Sequence, residues 1–156
     1  MKRVIASGLA LLFVSGAAQA QFVERKALTI EAAEHMTAAC TGYAAKHGWH
    51  LAVWVIDEAG TPLAFRRMDG AGTLAVTTSK AKAQTALELG HPSGDLSQGL
   101  AQGHLDILSL GLFAMSGGLP IMADGQVVGA IGAGGAQSSQ DEECAQAGLD
   151  AVLGKK

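Results

Sequence analysis

The sequence predicts an α+β domain in which an antiparallel sheet of about five strands is flanked by helices. Two hairpin patterns and three helical segments carry the prediction. Leu51–Ile56 and Pro62–Met68 flank the turn Asp57-Glu58-Ala59-Gly60, and Leu119–Ala123 and Val127–Ala133 flank Asp124-Gly125-Gln126. Strands joined by turns this tight pair antiparallel. The helical segments lie before, between and after the hairpins, so they cover the sheet in two or three layers.

Residues Met1–Ala20 read as a signal peptide. Lys2 and Arg3 form a basic start, Val4–Val14 is largely apolar, and Ala18-Gln19-Ala20 fits signal peptidase, with cleavage after Ala20. The apolar run is shorter than the about 20 residues a bilayer span needs, so no membrane partner is expected after cleavage. Residues 21–156 then form a single domain, periplasmic or secreted. Losing Lys2 and Arg3 takes the formal net charge from −3 to −5. That balance argues against nucleic acid, whose phosphates need a basic surface.

Thr29 can cap the first helix, with Glu31 and Glu34 near its positive end. Ile30, Ala33, Met36, Thr37, Cys40 and Ala44 trace one face, and Gly48 ends the helix. Leu51–Ile56 is continuously apolar, the pattern of a strand buried on both faces. Pro62 starts the return strand, a position where proline is tolerated. Thr73–Leu89 is the second helix, ended by Gly90-His91-Pro92. Asp95–Gln102 reads as a short helix, and His104–Ser116 as a loop with a short strand.

In the second hairpin Gly129 and Gly132 interrupt the return strand. Glycine there costs conformational entropy, which implies a close approach by a ligand or another backbone. Ser139-Gln140-Asp141-Glu142 has capping-box spacing and opens a last helix, Gln140–Leu153. Asp141, Glu142 and Glu143 are read as complementing that helix's N-terminus rather than as ligands of a hard cation.

The hairpin VWVIDEAGTPLAFRRMDGA, the helix SKAKAQTALELGHPS and the closing GGLPIMADGQVVGAIGAGGAQSSQDEECAQAGLDA resemble the haem-binding GlcG/HbpS/PduO C-terminal family, often termed haem-degrading. The resemblance runs from about Leu28 to Leu153, with the motifs in the family's order and spacing. It implies a profilin-like or PAS-like antiparallel sheet flanked by helices, assembly into homo-oligomers, and haem as cofactor or ligand. Some members bind or degrade haem. Others accompany glycolate or propanediol metabolism, which makes a small organic acid the alternative ligand. The resemblance also implies a haem-ligating histidine on the first helix, His35 here, as the metal ligand. Where the family has arginine after the second helix's glycine this chain has His91, a departure that adds or moves a haem ligand.

The chain has five histidines, His35, His47, His50, His91 and His104, and no Cys-x-x-Cys-His. Any haem is therefore held non-covalently, through an axial side chain such as histidine. His35 lies off the apolar stripe. His47 and His50 straddle the Gly48 stop and read as surface residues, His91 suits the second helix's negative end, and Asp106 can orient His104. Met68, Met115 and Met122 read as core filler. Arg66, Arg67, Lys80 and Lys82 suit carboxylates, and Arg66 and Arg67 point to opposite faces of their strand. Cys40 and Cys144 each fall on a helix. Export permits a disulfide between them, and two buried thiols are the alternative. No Ser-His-Asp order, P-loop or dinucleotide glycine fingerprint is present.

The leading reading is an exported, oligomeric haem-binding protein whose expected binding set is His35, His91, Arg66 and Lys80. Haem degradation with external reductant and oxygen is the enzymatic alternative. Small-acid binding through Arg66 or Arg67, and an interaction module without ligand, are the others.

Overall fold

The computed structural model describes residues 25–154, so the leader expected at Met1–Ala20 lies outside it. Thr29 Oγ1 accepts the Ala32 N–H at 3.2 Å and opens helix α1, Ile30–Lys46. Strands β1, Ala52–Asp57, and β2, Pro62–Arg67, form the first hairpin. Helix α2, Thr73–Leu89, ends on Gly90, whose left-handed conformation suits a glycine stop. A short helix α3, Gly94–Ala101, and a 3₁₀ segment, Leu105–Leu110, lead to β3, Gly118–Ala123, and β4, Gln126–Gly134. Asp124 and Gly125 turn between them with φ of 48° and 79°, the double positive φ that a two-residue hairpin favours. Helix α4, Ser138–Leu153, closes the domain.

The strand order is β2-β1-β4-β3, and every pairing is antiparallel. The central pair β1–β4 thus joins the two hairpins, one from each half of the chain. Helices α1 and α4 cover one face of the sheet, and α2 covers the other. Met36, Leu51, Val53, Val55, Ile121 and Ile131 are fully buried between the sheet and the α1–α4 layer. Ile56, Ala83, Ala86 and Ala130 fill the thinner α2 side. Within the first layer Cys40 of α1 and Cys144 of α4 are joined by a disulfide, their Cα atoms 4.6 Å apart across 104 residues of sequence.

The glycines of the second hairpin answer the question their positions raise. A Cβ at Gly118 would strike the Lys82 carbonyl, and one at Gly132 the Ser79 carbonyl, both on α2. A Cβ at Gly129 would strike the Ile56 carbonyl of β1. The close neighbour is backbone at each site, so these glycines let α2 and the strands pack tightly. Gly132→Val should therefore destabilise by about 1–3 kcal/mol or more through overpacking. Urea unfolding measures this, and an unchanged midpoint would mean that α2 does not rest on the sheet as described.

Two expectations need correction. The sheet has four strands among the described residues, not about five. Gly103 and Gly111 adopt positive φ, 92° and 67°, on either side of the intervening segment. They break any extended run there, and Leu105–Leu110 closes into 3₁₀ turns instead. The capping box also sits upstream of Ser139–Glu142: Gln137 is the N-cap, and its N–H donates to Gln140 Oε1 at 3.1 Å. The helix starts early enough to swing Asp141 inward, where its Oδ1 accepts the Ala136 N–H at 3.0 Å.

Candidate functional site

The inward turn of Asp141 builds the most unusual polar feature of the molecule. Lys82 lies on the face of α2 that also carries Ala75, Ser79, Ala83 and Ala86, all buried against the sheet. A lysine there is withdrawn from water, and its Nζ donates to Asp141 Oδ2 at 2.7 Å, with both side chains 2% exposed. Two charges leave water at a cost of several kcal/mol each, offset only when they pair well. Gly117 leaves room for the ammonium, since a Cβ there would come within 3.0 Å of Nζ.

The pair is not sealed off. Lys82 and Asp141 border a cavity of about 260 Å³ whose walls include Gly72, Leu74, Met115 and Gly135. Leu74 is 74% exposed at its rim, and Met115 is exposed beside it. His50 adjoins the same wall: its carbonyl abuts the position where a Gly135 Cβ would stand.

The four residues expected to bind a cofactor do not converge. His35 is exposed on α1, and Arg66 leans toward the same helix, its Nη1 donating to Thr41 Oγ1 at 3.4 Å. Lys80 belongs to the opposite layer, where its Nζ stands 5.7 Å above the Trp54 ring in cation–π geometry. His91 lies beyond Leu89, the far end of α2, which is itself about 14 Å along the helix axis from Lys80 at helical rise. The structure therefore places His35 and Arg66 on the α1 side of the sheet without joining them, and Lys80 on the α2 side, with His91 beyond the C-terminal end of α2.

Two other histidines are held in a ligating tautomer. A carbonyl oxygen only accepts, so His47 Nδ1–H donates to Tyr43 O at 2.9 Å and His50 Nδ1–H to Asp69 O at 2.7 Å. In a neutral imidazole that bond leaves the lone pair on Nε2, the arrangement a metal-binding histidine uses. The His47 ring stacks on Trp49, with centroids 4.8 Å apart. Beside it Tyr43 borders a larger groove of about 500 Å³ between α1 and α4, with Glu143 and Asp150 on its walls. Burial, then the hydrogen bond and the negative charge of Glu143, push the Tyr43 phenol up from its ordinary value. The neutral hydroxyl thus donates to Glu143 Oε2 at 3.2 Å.

Sequence reasoning took Asp141 as a helix-end carboxylate and missed its union with Lys82, 59 residues away. The available signal was Lys82 itself, a charge on an otherwise small and apolar helix face. It also read His47 and His50 as surface residues; their exposure agrees with that, but their backbone hydrogen bonds could not be read from spacing.

Residues 28–150 match the model of a family described as HbpS-like haem-degrading protein. The chain is 32% identical over 106 residues to protein GlcG of Escherichia coli K12, a stretch covering 67% of this chain and 79% of GlcG. The crystal structure of a double mutant of Streptomyces reticuli HbpS is similar with a TM-score of 0.79 at 33% identity, covering 97% of this chain and 100% of that one. A crystallised PduOC–haem complex shares the fold with a TM-score of 0.74 at 24% identity, covering 81% of this chain and 96% of that chain.

Proposed function

We infer from one premise, that the chain belongs to the HbpS-like family of haem-degrading proteins, that it is an exported homo-oligomer holding haem non-covalently. The family match over residues 28–150 carries this reading. The donor set fits it. Among the described residues no three His, Cys, Asp or Glu side chains gather to hold a bare metal ion. Haem brings its own four nitrogens and asks the protein for an axial side chain, which a solitary exposed histidine can supply. Haem degradation, the chemistry in the family's description, draws reductant and oxygen from outside the protein while the chain orients the cofactor.

His35 is the proposed axial ligand, with Arg66 on the same side of the sheet to meet a propionate. Lys80 stands on the opposite side, with His91 beyond the end of α2, and they would serve only a haem bound there or shared with a second copy. Exposed Leu105, Leu108 and Leu110 support assembly, because an apolar cluster of this kind is commonly covered by a partner. The Cys40–Cys144 disulfide supports export, since such bonds persist in oxidising compartments. No helix of the described residues is long and apolar enough to cross a membrane.

Titration of the chain beginning at Gln21 with hemin, followed at the Soret band, tests the axial assignment. His35→Ala should shift the band of the bound haem and weaken binding roughly tenfold or more, the loss of about 1.4 kcal/mol or more. An unchanged spectrum removes His35 from the role, and His91→Ala is then the next variant to measure. Light scattering of the same sample should give a mass above one chain, and a strict monomer would contradict the assembly.

A further inference from the structure

We propose that the free edge of β2 pairs antiparallel with β2 of a second copy, about a twofold axis at Phe65. Such pairing gives the assembly inferred above a contact surface; it rests on the reading of the chain as an oligomer and not on haem.

The two edges of the sheet are finished differently. Along β3 the bond from Ala133 N–H to Gly117 O sets the phase of the ladder, so Gly118 and Pro120 turn their backbone outward. Gly118 has both groups taken, its N–H by Ser93 Oγ and its carbonyl by the Ser93 N–H, each at 2.9 Å. Pro120 has no N–H to offer. That edge is closed.

Along β2 the bond from Met68 N–H to Leu51 O sets the phase. Arg66 and Ala64 then bond across the ladder to Val53 and Val55, while Phe65 and Arg67 turn their N–H and C=O outward. Among the described residues no backbone partner meets them. An unpaired edge is a template for another strand. Helix α2 lies over β1, β3 and β4. On its side of the sheet Phe65 stays 44% exposed beside Trp54, with ring centroids 4.4 Å apart.

The β2 sequence suits a second copy of itself. With Phe65 opposite its own copy, Ala64 faces Arg66 and Leu63 faces Arg67. Phe65 gains an aromatic mate, a favourable cross-strand pair, and each arginine has a small or apolar one. Centring on Arg66 or Arg67 sets arginine against arginine, which is destabilising. Centring on Ala64 leaves Phe65 opposite Leu63 and moves the ladder toward Pro62, where the register is irregular. Charge and shape thus select the Phe65 register.

Cysteine substitution in the chain beginning at Gln21 tests that register. Phe65→Cys brings two thiols together across the twofold, with Cα atoms about 5.5 Å apart, inside the span of about 4.4–6.8 Å that a disulfide bridges. Arg67→Cys sets them four residues apart along the strand, roughly 14 Å. Mild oxidation followed by a denaturing, non-reducing gel should give a covalent dimer for Phe65→Cys alone. No bridge through Phe65→Cys, or an equal one through Arg67→Cys, overturns the pairing. Charge substitution tests the same contact without a cross-link. Phe65→Lys and Phe65→Glu should each weaken self-association roughly tenfold or more in sedimentation velocity. Mixing the two should restore it, because residue 65 faces itself. If either charged variant fails to fold, the cysteine pair still decides. An oligomer that neither charge disturbs places the contact elsewhere: the β2 pairing falls and the assembly stands. A wild type that is monomeric at every concentration overturns both.

Discussion

Asp141→Ala is expected to destabilise the protein by about 3–5 kcal/mol, because it leaves the Lys82 ammonium buried with no counter-charge. The structural basis is the 2.7 Å contact between two side chains that are each 2% exposed. The same change removes the acceptor of the Ala136 N–H and so loosens the entry to α4. Domains of this size are stable by only about 5–15 kcal/mol, so a loss on this scale populates the unfolded state markedly. Lys82→Met combined with Asp141→Leu should behave differently. Apolar residues of similar volume remove both desolvation costs, and such replacements are often neutral or stabilising by about 1–4 kcal/mol. Urea unfolding of the single and double variants separates these cases. A double variant as unstable as Asp141→Ala would show that the pair holds the fold by more than mutual neutralisation.

Cleaving the disulfide is the second large perturbation. It ties α1 to α4 across 104 residues, and a loop of about 100 residues corresponds to roughly 4.7 kcal/mol in the chain-entropy model, with native bridges typically worth about 2–5 kcal/mol. Cys40→Ala with Cys144→Ala should lower the unfolding midpoint accordingly, with part of the loss coming from the two vacated sulfur volumes in the core. Reduction of the wild type isolates the cross-link, since no atoms are removed from the core. Because both sulfurs are fully buried, dithiothreitol should act only through opening of the α1–α4 layer. Rapid reduction of the native protein would contradict that burial.

Local signals were legible and long-range ones were not. Thr29 as a cap, Gly90 as a stop and Asp124-Gly125 as a hairpin turn each act within a few residues, and each stands where spacing put it. Leu105–Leu110 was harder because an apolar run between glycines suits a short strand as well as a tight helix. The positive φ that Gly103 and Gly111 adopt on either side decides between them. Asp141 had a sufficient local explanation as a helix-end carboxylate, and that hid its non-local one. Gly132 shows the same limit: its place inside a strand implied a close neighbour, but only the three-layer arrangement identifies it as the α2 backbone. His35, Arg66, Lys80 and His91 were grouped by chemical type, and the sheet that separates them is a property of topology rather than of any one motif.

The central inference is that the chain holds haem without a covalent bond. Native mass spectrometry of the chain beginning at Gln21, mixed with hemin and desalted, tests it most directly. The expected result is a haem-mass increment on the folded species that disappears when the same sample is sprayed under denaturing conditions. Absence of the increment on the folded species, or its survival after denaturation, would contradict non-covalent haem binding.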